Sequence, residues 1–278
     1  MTSVHPSTES LADGAVSVLH LPIRLDGRIA AYPATLRGEA MVNLYLLREG
    51  RKALLVDTGF SAHEPDVLAW LREQLPIDHD LSLITLRQSE FDSVCNVVPI
   101  VNRFNVSTVF GAQSQGMSWF GFRPDARLEG RAATVAYTAV KQGPITVLGD
   151  ASRAISVIQP ALRLLTTHWL FDPRSRTLFT SDAFGHLSGD EPNDVDADEL
   201  REYLATTRYW WLAGARTDTI VDWLDSVFDT FRVDRIASAY GPLLEGDAVA
   251  RTVEVYRSVL CDLANAASPA PEMARVPA

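Results

Sequence analysis

Short β-branched or aliphatic runs alternate along this chain with longer segments of helical period, and a polar or titratable side chain stands just past many of the runs. The runs are MVNLYLL (41–47), KALLVD (52–57), LSLITL (81–86), STVFG (107–111), ITVLG (145–149), AISVI (154–158), LRLLTT (162–167), TLFTSD (177–182) and RIASA (235–239). Their length and residue types predict strands. Helical patterns cover 63–75, 92–104 with Pro99 as an interruption, 196–211, 217–231 and 246–263, and a turn is predicted at Pro173, Arg174 and Ser175. The alternation predicts an α/β fold. No interior linker divides it, so one domain is expected over 15–263, between loose tails at 1–14 and 264–278.

The chain has 278 residues, 47% of them hydrophobic, which is enough for a substantial core. A net charge of -10 opposes binding to nucleic acid, where a basic surface must displace counterions. No window is apolar for the length of a membrane span and no secretory leader is evident, so a cytoplasmic protein with no membrane association is expected. Cys95 and Cys261 have no partner spacing, which fits a reducing compartment and gives neither a zinc knuckle nor a disulfide framework.

Ligand-binding groups in α/β folds gather on loops past strand ends. Asp57 closes one run and is followed by Thr58 and Gly59; Glu90 and Asp92 follow another; His168, Asp182 and Tyr240 follow three more. Carboxylates and an imidazole converging from separate strands are metal-site chemistry. Taken singly each has a plainer role: Asp57 as a turn cap, Asp92 as a helix N-cap, His168 as a core histidine, Cys95 as a buried structural thiol.

Taken in order, Val56-Asp57-Thr58-Gly59, Gln88-Ser89-Glu90-Phe91-Asp92-Ser93, His168-Trp169, Leu178 to Gly185 and Ala239-Tyr240-Gly241 resemble the metallo-β-lactamase superfamily, and within it the diiron domain of flavodiiron and related oxygen-binding proteins. The resemblance spans about residues 40–245 and implies an αββα sandwich, two mixed sheets with helices outside. It also implies one metal held at the positions of Gln88, Glu90, His168 and Asp182, and a second at Asp92, Ser93, Asp182 and Tyr240. The family's ligand motif His-x-Glu-x-Asp-His reads here Gln88-x-Glu90-x-Asp92-Ser93, and its last histidine is Tyr240.

Glu90, His168 and Asp182 therefore form the retained half, with Asp92 and Gln88 as further metal candidates, and Ser93 and Tyr240 stand as the catalytic candidates of an altered half. His186 is a candidate replacement ligand. One or two iron ions are the implied cofactor, with manganese or zinc as other ions, and no flavin domain is expected. The expected function is a non-haem iron oxidoreductase acting on a small organic substrate, with a separate electron donor; relatives that dimerise make a homodimer a further expectation. Two alternatives stand beside it: a metal-free pseudoenzyme or small-molecule-binding protein on the same fold, and a zinc-dependent hydrolase.

Overall fold

A computed structural model describes residues 5–29, 31–123, 127–149, 153–163, 166–185 and 196–268. A seven-stranded sheet runs in chain order through β1 (Ser7–Leu11), β2 (Val16–Leu25), β3 (Gly38–Glu49), β4 (Lys52–Val56), β5 (Asp80–Ile84), β6 (Val106–Gly111) and β7 (Ala136–Ala139), antiparallel as far as β4 and parallel from there. A six-stranded sheet contains β8 (Gly143–Ile145), β9 (Ile155–Ile158), β10 (Trp169–Asp172), β11 (Thr177–Ser181), β12 (Arg235–Ser238) and β13 (Leu244–Glu245), all antiparallel except β11 with β12.

The central strands read as unbroken apolar runs because both faces of each are covered. Side chains alternate between faces with a period of two, so Leu54 and Val56 of β4 join Tyr45, Leu47 and Ile84 against Val157, Leu170, Phe179 and Ala237 of the other sheet. The opposite face of the same strands, with Leu44, Leu46, Ala53, Leu55 and Leu83, packs under α1 (Glu64–Gln74) and α3 (Val97–Arg103). Trp169, Phe171, Leu178 and Ile236 face outward from the second sheet onto α5 (Asp218–Thr230) and α6 (Asp247–Asn265). Three apolar layers between two sheets and two helical coats make the expected αββα sandwich. No helix among the described residues is long and apolar enough to cross a membrane.

Several expectations change in detail. Residues 7–11, assigned to a loose tail, form the edge strand β1 through five register pairs with β2, and α6 runs two residues beyond the expected domain end at 263. The strand expected at 162–167 begins instead at Trp169. Because β10 is antiparallel to β11, its start lies beside the end of β11, and His168 still falls at the same end of the sheet as Asp182. The helical stretch 92–104 breaks at Cys95 and Asn96 into α2 (Phe91–Val94) and α3; Pro99 sits in the first turn of α3, where its missing N–H is not needed. The pattern over 196–211 gives α4 (Ala197–Tyr203) and then a π turn over Leu204–Arg208, closed by Tyr209 N–H to the Leu204 carbonyl at 2.7 Å.

The two sheets meet at the edge where β3 passes β12. Asn43 N–H donates to the Ala239 carbonyl at 2.9 Å and Gly241 N–H to that of Met41 at 3.1 Å, while Asn43 Nδ2 donates to Ser238 and Gly241 carbonyls at 3.0 and 2.8 Å. Tyr240 is thereby fixed between sheets. Gly185 lies so close to this junction that a Cβ there would meet the Tyr240 carbonyl oxygen at 2.3 Å and Ser238 at 2.7 Å. Replacing Gly185 by Ala should therefore displace backbone rather than a pliable side chain and cost about 2–4 kcal/mol in urea unfolding; a loss within about 0.5 kcal/mol would show that the junction yields.

Candidate functional site

The parallel pair β4 and β5 and the parallel pair β11 and β12 end at one side of the sandwich, and the loops past those ends converge. Asp57, immediately after β4, is buried with φ +60 and accepts the Leu86 N–H at 2.8 Å and the Ser93 hydroxyl. Thr58 donates to the Ser93 carbonyl at 2.9 Å, and Asn96 Nδ2 donates to the carbonyls of Thr58 and Phe60 at 2.7 and 2.9 Å. These bonds pin α2 onto the end of β4. Asp57 thus orients neighbouring backbone, as its turn-cap reading holds.

With α2 pinned, Arg87 and Asp92 are forced together. They form an ion pair in which the two side chains are 5% and 3% exposed. Arg87 also lies 3.8 Å from Asp182, and its guanidinium sits 5.5 Å from the centre of the Tyr240 ring. Asp182 pairs in turn with Arg208, which the π turn carries inward. Burial alone would lower the pKa of Arg87, but Asp92 and Asp182 outweigh it and hold the side chain charged; burial would raise Asp182, but Arg208 and then Arg87 outweigh it and hold its carboxyl below the ordinary value.

A cavity of about 400 Å³ opens over this network, lined by Ile29, Ala31, Phe60, Phe91 and Tyr240 among the apolar groups and by Arg28, Arg87, Arg208, Glu90, Asp92 and Asp182. Glu90, at the N-cap of α2, makes no side-chain capping bond and is half-buried; burial raises its carboxyl pKa.

Of the residues singled out from sequence, Glu90, Asp92, Asp182 and Tyr240 share this cavity. Gln88 does not. It is buried with its Oε1 accepting Gln113 N–H at 2.6 Å and the Tyr137 hydroxyl at 3.1 Å. Ser93 is fully buried, donating to Asp57 and accepting Arg87 N–H at 3.2 Å, so it faces structure rather than the cavity. His168 is buried outside the cavity lining. Its backbone N–H bonds the Leu86 carbonyl at 3.0 Å, its Nδ1 has no partner among the described residues, and burial with Arg163 lowers the ring's pKa. Tyr240 is held far above the ordinary phenol pKa by burial and then by Asp92, so without a bound cation its hydroxyl stays protonated at neutral pH. Cys95 is buried with a raised pKa, in keeping with a structural thiol. His186 lies outside the described residues. Sequence reading missed Arg87 and gave Arg208 no role; the signal was a cation directly after a strand end, five residues before an acid.

No family model matches this chain, and no curated relative does. Solved structures do. Rubredoxin oxygen:oxidoreductase from Desulfovibrio gigas aligns over 91% of the chain at TM-score 0.68 and 17% identity, and the Flv1 flavodiiron core from Synechocystis sp. over 92% at 0.67 and 17%. The chain spans 61% of the length of each. A metallo-β-lactamase from Pontibacter korlensis aligns over 93% of this chain and 100% of its own, at 0.57 and 12%. The chain has the metallo-β-lactamase fold. At these identities the likeness establishes the architecture alone, and the site must be read from its own residues.

Those residues do not fit the two-iron set that the resemblance implies. Among the described residues, no three His, Cys, Asp or Glu side chains converge as a metal site. Asp92 and Asp182 spend their charge on Arg87 and Arg208, Gln88 is turned away, and Ser93 and Tyr240 are weak donors when protonated.

Two outcomes follow. Arg87→Met should cost about 3–5 kcal/mol in urea unfolding by leaving Asp92 buried without its cation, and adding Asp92→Asn should recover part of the loss. Asp57 is pushed up to about 7, chiefly by burial, against an unfolded value of about 4. The folded state then holds the proton more tightly, so its contribution is full below about pH 4 and is lost as pH rises towards 7. Asp57→Asn, which tolerates the same positive φ, should gain on the parent chain across that window in thermal melts; parallel profiles would refute the assignment.

Proposed function

We propose that this chain is a metal-free binding protein for a small organic molecule, its fold's usual ligand positions converted into an arginine–carboxylate network. The observation that carries this reading is the buried Arg87 guanidinium, paired with Asp92, next to Asp182 and over Tyr240. A cation entering between these carboxylates would have to expel a positive charge that is itself desolvated, and leave that charge without partners. Removing one member of such a pair is costly. The cavity above it joins an apolar and aromatic side, Ile29, Ala31, Phe60, Phe91 and Tyr240, to a charged one, a makeup suited to an amphipathic small molecule.

The competing reading, a non-haem iron oxidoreductase with a separate electron donor, draws on the likeness to flavodiiron structures and on the Nδ1 of buried His168, which has no partner among the described residues. It requires His168, Glu90 and Asp182 to close on one ion, with Arg87 and Arg208 displaced. When bound, iron would supply redox chemistry, which none of the cavity-lining side chains provides. A zinc hydrolase has less in its favour, since it needs imidazole-rich coordination and an open position for water.

Metal analysis of protein purified without oxygen separates these. Less than about 0.1 metal ion per chain is expected, with no rise in melting temperature on adding ferrous, manganous or zinc ions, because a ligand of the native state must stabilise it. About one or two iron ions per chain would overturn the metal-free reading.

A further inference from the structure

The charges lining the cavity pair off unevenly. Arg87 is taken by Asp92, Arg208 by Asp182, and Arg28 by Asp26 through bonds of 2.9 and 3.0 Å. Glu90 remains. Among the described residues its carboxylate has no hydrogen bond or ion pair, although it lines the cavity and stands at a helix N-cap whose N–H groups it does not use. Arg87 and Arg208 attract this acid and Asp92 and Asp182 repel it, so the two ion pairs leave its own charge unbalanced, and its remaining neighbours in the lining are apolar and aromatic. Phe91, the next residue, is 62% exposed and lies 5.6 Å, ring centre to ring centre, from Phe122, itself 41% exposed. Phe60, Ile29 and Ala31 complete the lining on the apolar side, and Tyr240 closes the floor.

A large aromatic side chain left in water beside a cavity is a ready contact for an apolar ligand body. An unmatched carboxylate in a partly desolvated wall is a ready contact for one positive charge, because the interaction strengthens as water is excluded. An anionic ligand would meet the reverse: three guanidinium groups already neutralised, and one free like charge facing it. A neutral ligand would bury Glu90 further with nothing to compensate it.

We propose that the cavity takes a small organic molecule carrying one protonated amine on an apolar, ring-sized body, with the amine against Glu90 and the body against Phe91 and Phe60. The aromatic faces add attraction for the same cation. No bond is made or broken in this binding. The inference rests on the metal-free binding reading and names the class of its ligand.

Calorimetric titration of the full chain at neutral pH with three probes of one shape tests it: phenethylamine, its neutral counterpart 2-phenylethanol and its anionic counterpart phenylacetate. The amine is expected to bind at least about tenfold more tightly than the alcohol, the least to be expected of a charge-assisted contact to a partly buried acid. Glu90→Gln should erase that advantage, with the alcohol bound at least as tightly as by the unaltered chain because the uncompensated charge is gone, which also shows that the pocket is still formed. Phe91→Ala should weaken both the amine and the alcohol severalfold. Equal affinity for amine and alcohol, tighter binding of phenylacetate, or an amine preference that survives Glu90→Gln would each overturn the proposal. The ratio of amine to alcohol on the unaltered chain decides the matter even if Glu90→Gln does not fold. Failure here with no iron bound removes only the ligand class, whereas bound iron removes the reading beneath it.

Discussion

The buried Arg87 guanidinium is the constraint on which the rest of the site depends. A desolvated positive charge demands partners at close range, and it finds them on both halves of the sandwich: Asp92 on the helix after β5, and Asp182 past the end of β11. The same charge therefore clips one sheet to the other at the cavity floor. Tyr240 supplies a ring beneath it and is itself fixed by main-chain bonds between β3 and the end of β12. Arg208 completes the electrostatics, since Asp182 would otherwise share a single cation with Asp92.

Holding these charges in contact takes irregular backbone, and it appears at the residues concerned. Asp57, Ser181 and Phe184 have positive φ without being glycine. The π turn at Leu204–Arg208 departs from the α4 geometry just where Arg208 must reach Asp182. Each is braced by specific bonds: Asp57 by Leu86 and Ser93, Phe184 by the Tyr256 hydroxyl at 2.8 Å, Ser181 by Ala239 N–H at 2.6 Å. Three further non-glycine residues with positive φ, Ala12, Asp13 and Arg176, lie in the β1–β2 and β10–β11 connections, so the strain near the cavity is tied to the bonds just named rather than confined to it.

The architecture was legible because its signals are local and repeated. Apolar runs such as LLV in β4 announce strands covered on both faces, and the ordered strand-end motifs select the sandwich. Side-chain direction was not legible. Gln88, Glu90 and Asp92 are spaced as ligands, yet Gln88 turns towards Tyr137 and Gln113, and Asp92 turns to Arg87. Nothing in residue spacing tells an acid that will hold a metal from one that will hold a guanidinium; that depends on which cation the fold brings within reach. Of the strands not expected, β1 is exposed at four of its five positions and β7 is mostly exposed, so neither shows an apolar run, whereas β2 is long and mostly buried and its apolar residues are interrupted by Ser17, His20, Pro22 and Arg24.

A metal ion and a guanidinium solve the same electrostatic problem for a group of buried carboxylates, but they leave different chemistry behind. A metal keeps positions open to substrate and changes the acidity of what it binds. A guanidinium satisfies its partners and offers only donors, so it stabilises the fold while giving the site no Lewis acid. Among the described residues the carboxylates lining the cavity are balanced pairwise except at Glu90, and on the metal-free reading proposed above the cavity works by recognition of charge and shape. Neutralising Asp92 and Asp182 from within the chain also keeps the two sheets joined at the cavity floor.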